Sequence, residues 1–216
     1  RISRAISASG IYGESVAVYG SVRKKIFVGG LDMARTHLGN DDIRDIMSGI
    51  VGCPLLSPEY TVNGDRVSMF IVSAPTVCAS HGRCSIAGNA REANGDAAMC
   101  FSNRDGKFYS LISDGMGSGR EAALTSRVSA TFLARMLGSG SSMKDALGML
   151  NGLIRAGTLE CSATVDLMEL DTYTGQAKFV KSGAAPSFIL RDGKIFRLQS
   201  KTVPIGILRA LDAEMI

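Results

Sequence analysis

The sequence is short of histidine, of charge of one sign and of long apolar runs. Each shortage excludes something. His37 and His81 stand far apart with no evident partner, so a histidine nucleophile or general base has little support. Against 24 Lys and Arg stand 20 Asp and Glu, a formal charge of +4. The basic residues are scattered rather than blocked, and nothing in that pattern calls for a nucleic-acid partner. No apolar run reaches transmembrane length; the longest candidate, Val67–Ala79, is interrupted by Ser68, Ser73 and Pro75. Arg1–Ser9 carries no signal-peptide pattern and starts without Met, which predicts a piece of a longer protein.

Cysteine is present but odd in number and dispersed: Cys53, Cys78, Cys84, Cys100 and Cys161. That set fits a reducing, cytoplasmic compartment better than a disulfide framework. None of the five sits in a phosphate-cradling loop, so a cysteine nucleophile lacks its signature. "CASHGRC" brings Cys78, His81 and Cys84 together, but three ligands at that spacing do not make a zinc knuckle. It reads as a loop with partly buried thiols.

What is present is ordinary globular material: 216 residues, 45% hydrophobic, enough for one sizeable core or a core plus a small unit. Glu14–Tyr19 and Lys25–Val28 read as short strands. A helix starts near Asn40 as its N-cap, with Asp41 and Asp42 suited to its positive end and Asp45 solvated; Ile43, Ile46, Met47 and Ile50 share a face, and Gly52 with Pro54 ends it. Tyr60–Val62 is a strand before an Asn63-Gly64 turn. From Arg66 the character changes. "RVSMFIVSAP" reads as a strand, "SHGRCSIAGNAREANG" as a loop, and "DAAMCFSNRDGKFYSLIS" as a hairpin turning at Asp105-Gly106.

Two helices follow. The first has Leu124, Val128, Thr131, Phe132 and Met136 tracing one side and Gly138 as its cap. The second starts at Ser142, with Met143, Ala146, Leu147, Leu150, Leu153 and Ile154 in a stripe of 3.6-residue period. Two more hairpins come next, the last turning at Asp192-Gly193, and "VPIGIL" is a short strand entry. Strands, then a helical pair, then hairpins is not βαβ alternation. The order predicts an α+β fold, an antiparallel β-sandwich flanked by paired helices. Residues 1–65 are expected to form a small flanking α/β segment, and 66–216 the main domain.

The chemistry concentrates in "SDGMGSG", an aspartate at the mouth of a glycine-rich turn between a strand and a helix. Hairpin arithmetic about the loop Arg104–Gly106 pairs residues whose numbers sum to about 210, and Asp96 plus Asp114 gives 210. A one-residue slip stays open. Both aspartates lie at the open end of one hairpin either way. Opposed carboxylates repel, and a hard divalent cation, Mg²⁺ or Mn²⁺, is the natural offset. Asp114 would thus repel bare phosphate but hold the metal that receives it. The Gly115 carbonyl can approach the same ion, and Gly117 and Gly119 permit the phosphate-proximal turn into the helix. Two such ions can activate water for in-line attack on phosphorus.

Other readings exist. An Asp-Gly pair is more often a turn, as Asp105-Gly106 and Asp192-Gly193 are read here. Asp96 could be a strand-start cap, and the face of Asp166 stays open. A dinucleotide loop fits poorly: Arg120 replaces the third glycine, and a helix rather than a parallel strand follows.

"ANGD", "SDGMGSG", "ATVDLMELD", "SGAAPSFILRDGKI" and "PIGIL", in that order, resemble the bacterial PPM-type (protein phosphatase 2C-like) serine/threonine phosphatases, and among them a branch that acts in sporulation. The similarity covers about Arg66–Ile216. It implies a Mn²⁺- or Mg²⁺-dependent phosphatase with Asp114 bridging two metals, the Gly115 carbonyl on one of them and Asp96 serving the site. It implies a phosphoserine substrate on a small anti-anti-sigma factor, whose dephosphorylation frees a sigma factor. It further implies a membrane-anchored whole protein, in which residues 1–65 end a regulatory segment. Family metal aspartates that follow the "PIG" segment have no counterpart here, so little or no activity is expected of this chain alone. The alternative is a non-catalytic module that holds a partner, or a second copy, through the helical pair Ala122–Ile154.

Overall fold

In the computed structural model, residues 2–86, 93–117, 119–157 and 161–216 are described. They divide into two compact units, Arg1–Thr76 and Val77–Ile216.

The first unit contains α1 (Ile2–Ala8), β1 (Ser15–Tyr19), β2 (Lys25–Gly29), α2 (Asn40–Val51), β3 (Glu59–Asn63) and β4 (Arg66–Val72). Its antiparallel sheet has the order β1-β2-β4-β3. Ile26 and Val28 of β2 and Met69 and Ile71 of β4 point to one side, where Ile43 and Met47 of α2 and Ile6 of α1 complete a buried cluster. The N-cap of α2 is Gly39, not Asn40, which is already helical. The Gly39 N–H donates to the Asp42 carboxylate at 3.2 Å, so an acidic side chain three residues on satisfies a helix-end donor. Gly52 ends the helix in the left-handed region at φ 72°.

The strand beginning at Arg66 belongs to this unit rather than opening the next. β4 pairs with both β2 and β3, and its apolar side fills the first core. The division between compact units therefore falls after Thr76, ten residues or so later than strand counting suggests. α1 has no sequence signature; seven residues with one buried side chain are too few to show a period.

The second unit contains β5 (Asp96–Ser102), β6 (Lys107–Asp114), α3 (Gly119–Gly138), α4 (Met143–Ala156), β7 (Val165–Asp171), β8 (Ala177–Ser182), β9 (Ser187–Arg191), β10 (Lys194–Leu198) and β11 (Glu214–Met215). The main sheet runs β11-β8-β7-β6-β5, all antiparallel, and β9 and β10 form a hairpin of their own. The loop expected at 80–95 lies partly outside the described residues, and its described part has no regular structure. With antiparallel sheets and a helical pair on one of them, the fold is α+β, as the element order predicts.

Alternation along the strands gives this sheet two distinct faces. Tyr109 and Leu111 of β6, Val165 and Leu167 of β7 and Val180 of β8 pack with Leu133 and Leu137 of α3 and Leu147 and Leu150 of α4. Ser142 caps α4 by accepting from the Asp145 N–H at 3.1 Å. The buried side of α3 differs from the expected one: Ala122, Ala123, Ser126, Ser129, Ala130, Leu133 and Leu137 are covered, whereas Leu124 is 59% exposed and Val128 44%. Small residues let the helix lie close to the sheet, and the larger apolar ones are left outside. Leu153 of α4 is also outward, at 50% exposure.

Candidate phosphatase centre

The other face of the main sheet carries the polar residues of interest. In the β5–β6 hairpin Ser102 pairs with Phe108, and the register runs unbroken to Asp96 opposite Asp114. The two aspartates are direct cross-strand partners, with no slip. Directly opposed Cβ atoms lie about 4.5–5.5 Å apart, and like charges there are destabilising. The Asp114 carboxyl accordingly sits above the usual carboxylate range, first through desolvation in its groove, then through the charge and hydrogen bonding of Asp96.

The backbone around Asp114 is fixed from two sides. Its N–H donates to Thr164 Oγ1 at 3.0 Å and its carbonyl accepts from the Thr164 N–H at 2.8 Å. The Gly115 N–H donates to the Gly95 carbonyl at 3.1 Å, and Gly115 bridges to Ala163. A side chain at Gly115 would begin 2.0 Å from the Ala122 carbonyl oxygen, so only glycine lets the turn pass this close to α3. Asp114 Oδ1 and the Gly115 carbonyl oxygen converge over Gly95: each lies 3.7 Å from where a side chain there would start. Gly117 and Gly119 have φ of 100° and 75°, so the turn into α3 needs glycine at both.

Asp96 and Asp114 line an open groove of about 1220 Å³, together with Arg83, Arg127 and Asp166. The Arg83 guanidinium donates to the Ala98 carbonyl at 2.8 Å on β5. Asp166 faces this groove rather than the helices, paired with Ile112 of β6 and Lys181 of β8. Lys181 Nζ lies 2.7 Å from Asp166 Oδ2 and 2.7 Å from Ser187 Oγ, and the Ser187 hydroxyl also donates to Asp166. Counting the β7–β8 register as for the first hairpin would have found this pair. Arg83, Arg127 and Thr164 reach the groove through tertiary packing, and no local pattern marks them.

Two carboxylates, a carbonyl oxygen and a close-approach glycine form a hard-oxygen donor set, which fits Mg²⁺ or Mn²⁺. Among the described residues no group of three or more His, Cys, Asp or Glu side chains is placed to hold one metal ion. Cys78 and Cys84 are exposed thiols, and His81 lies against Phe108 with ring centroids 6.2 Å apart.

An antiparallel sheet with a helical pair on one face and an acidic hairpin rim on the other is the architecture of a PP2C-type phosphatase domain. The solved PP2C phosphatase domain of SpoIIE from Bacillus subtilis, with a fragment of its regulatory domain, is similar at a TM-score of 0.69 and 25% identity, covering 100% of this chain and 64% of that one. The family model for stage II sporulation protein E (SpoIIE) matches residues 104–215, about half of the sequence, and the chain belongs to this family of PPM-type serine phosphatases. Stage II sporulation protein E of Bacillus subtilis (strain 168) is 35% identical over 111 residues, and that of Priestia megaterium 30% identical over 124. The matches span 51% and 57% of this chain but only 13% and 21% of those relatives.

Proposed function

We propose that this chain carries the first cation-binding elements of a metal-dependent protein serine phosphatase. The observation that carries the reading is the direct opposition of Asp96 and Asp114 at the rim of a groove. Asp96, Asp114 and the Gly115 carbonyl would hold the cation, Mn²⁺ or Mg²⁺. When bound, such a cation supplies Lewis-acid activation of water and offsets charge on a phosphoryl group. The chain's own part is positional. Thr164 fixes the Asp114 backbone, Gly95 fixes Gly115, and Gly117 and Gly119 turn the chain away so that the carboxylates stay reachable. Asp96 and Asp114 are both exposed, so a phosphoserine presented on a protein surface can reach them.

In line with the family, the substrate is a phosphoserine on an anti-anti-sigma factor, and the consequence is release of a sporulation sigma factor. The first unit, Arg1–Thr76, ends a regulatory segment, the second, Val77–Ile216, forms the phosphatase part, and the whole protein is membrane-anchored elsewhere. No described helix is long and apolar enough to cross a membrane. Two carboxylates are few for two cations, so turnover by this chain alone is slow or absent.

Asp114→Asn is expected to abolish Mn²⁺ binding and any Mn²⁺-dependent phosphate release from a phosphoserine protein; a variant that keeps either overturns the reading. A partner-binding role for the helical pair has separate support in the exposed Leu124, Val128, Met149 and Leu153. Partner binding that survives Asp114→Asn while hydrolysis is lost shows that both roles coexist.

A further inference from the structure

A third carboxylate stands near the acidic pair without joining it. Asp166 pairs with Ile112, two residues from Asp114 on the same strand, so the alternation of β6 puts Asp166 on the face that carries Asp114. Diagonal neighbours of this kind lie about 7–8 Å apart. All three aspartates line one groove. Yet Asp166 is turned to Lys181, whose side chain is 0% exposed while that of Asp166 is 21% exposed. The strand that carries Lys181 is held in place: the Lys181 backbone carbonyl accepts from Thr202 Oγ1 at 3.1 Å, and the hydroxyl of the next residue, Ser182, donates to the Val203 carbonyl at 2.8 Å. A buried ammonium with a carboxylate and a hydroxyl at 2.7 Å has no better position to move to.

We propose that Lys181 keeps Asp166 out of the acidic pair, and so sets how tightly Asp96 and Asp114 hold a divalent cation. This rests on the cation site proposed above. Lys181 is a positioning residue that acts through Asp166: it fixes the carboxylate's direction and cancels its charge. Without it, the groove would present three carboxylates and bind the metal more tightly, while repelling the phosphoryl group of a substrate. A mere strut between β8 and β9 would have no such effect on metal affinity.

The test is calorimetric titration of Mn²⁺ into the protein and four variants, each checked for folding by circular dichroism. A unit charge about 8 Å from a doubly charged ion, at an effective dielectric constant of about 40–80, changes affinity roughly five- to thirtyfold. Lys181→Met is expected to bind Mn²⁺ more tightly by that factor and Asp166→Asn more weakly by it. The double variant is expected to return to within about threefold of the parent. An unchanged or weakened affinity in folded Lys181→Met overturns the proposal. If that variant does not fold, the neutral double variant decides. Recovery relative to Asp166→Asn supports the role, whereas a double variant no tighter than Asp166→Asn makes Asp166 itself a ligand and overturns it. Asp114→Asn separates the two ideas. Its loss of Mn²⁺ binding beside an unaltered Lys181→Met removes only the lysine's role, and its retention of binding removes both.

Discussion

The two ends of β6 handle charge in opposite ways. At one end Asp114 faces Asp96 across the hairpin, like against like. At the other, Glu169 of β7 sits in the core and is satisfied from both sides: Lys107 Nζ donates at 2.8 Å and the Tyr109 hydroxyl at 3.0 Å. The first arrangement stores repulsion that a cation can relieve, and the second lowers the energy of the fold. A cluster that is complete without a ligand is structural, and one that is incomplete without a ligand is a site.

Removing a member should therefore cost stability at one end and gain it at the other. The largest effect is expected from Glu169→Ala, which strands the Tyr109 hydroxyl and the Lys107 ammonium and leaves a void. The loss should be about 2–4 kcal/mol, read as a lowered denaturation midpoint with unchanged slope. Mn²⁺ affinity should not move. A variant that unfolds no more easily, or that loses metal, would erase the contrast between the ends.

Tyr109 gives the structural end a pH signature. Burial first, then the hydrogen bond and charge of Glu169, push its hydroxyl well above the ordinary tyrosine range. The neutral phenol is the form the fold prefers. Below about pH 10 both folded and unfolded chains carry it, and its contribution is fully present. Above that the unfolded chain ionises first, so stability falls as pH rises toward the folded value. Tyr109→Phe should cost about 1 kcal/mol at neutral pH and flatten the alkaline limb of a stability profile. An alkaline limb as steep in the variant as in the parent would assign the effect to another group.

The sequence made one end of β6 legible and not the other, for a physical reason. A hairpin with a short Asp-Gly turn has a register that can be counted, so Asp96 and Asp114 could be paired without coordinates. Asp166 and Lys181 pair across the β7–β8 hairpin, where the same count applies, but Glu169 meets Tyr109 across β6 and β7, which two helices separate in sequence, so turn arithmetic does not give that pairing. What no count reaches is which face a helix buries when small residues compete with large ones. On α3 the alanines and serines won because close approach to the sheet excludes bulk, and Leu124 with Val128 stayed outside. The placement of β4 was likewise decided by partners on both sides of it, which a strand's own residues do not name.

The sharpest use of the comparison needs the smallest energy. In metal-free buffer, Asp114→Asn removes one of two opposed charges, and the chain should become more stable by about 0.2–1 kcal/mol. With Mn²⁺ at a hundredfold excess over its dissociation constant, the parent should gain about 2.7 kcal/mol and the variant nothing. The two melting curves should thus exchange order on adding the cation, an outcome that simple destabilisation by mutation does not produce. If Asp114→Asn were the less stable protein with and without metal, the opposed pair would be an ordinary part of the fold, and the two ends of β6 would not differ in kind.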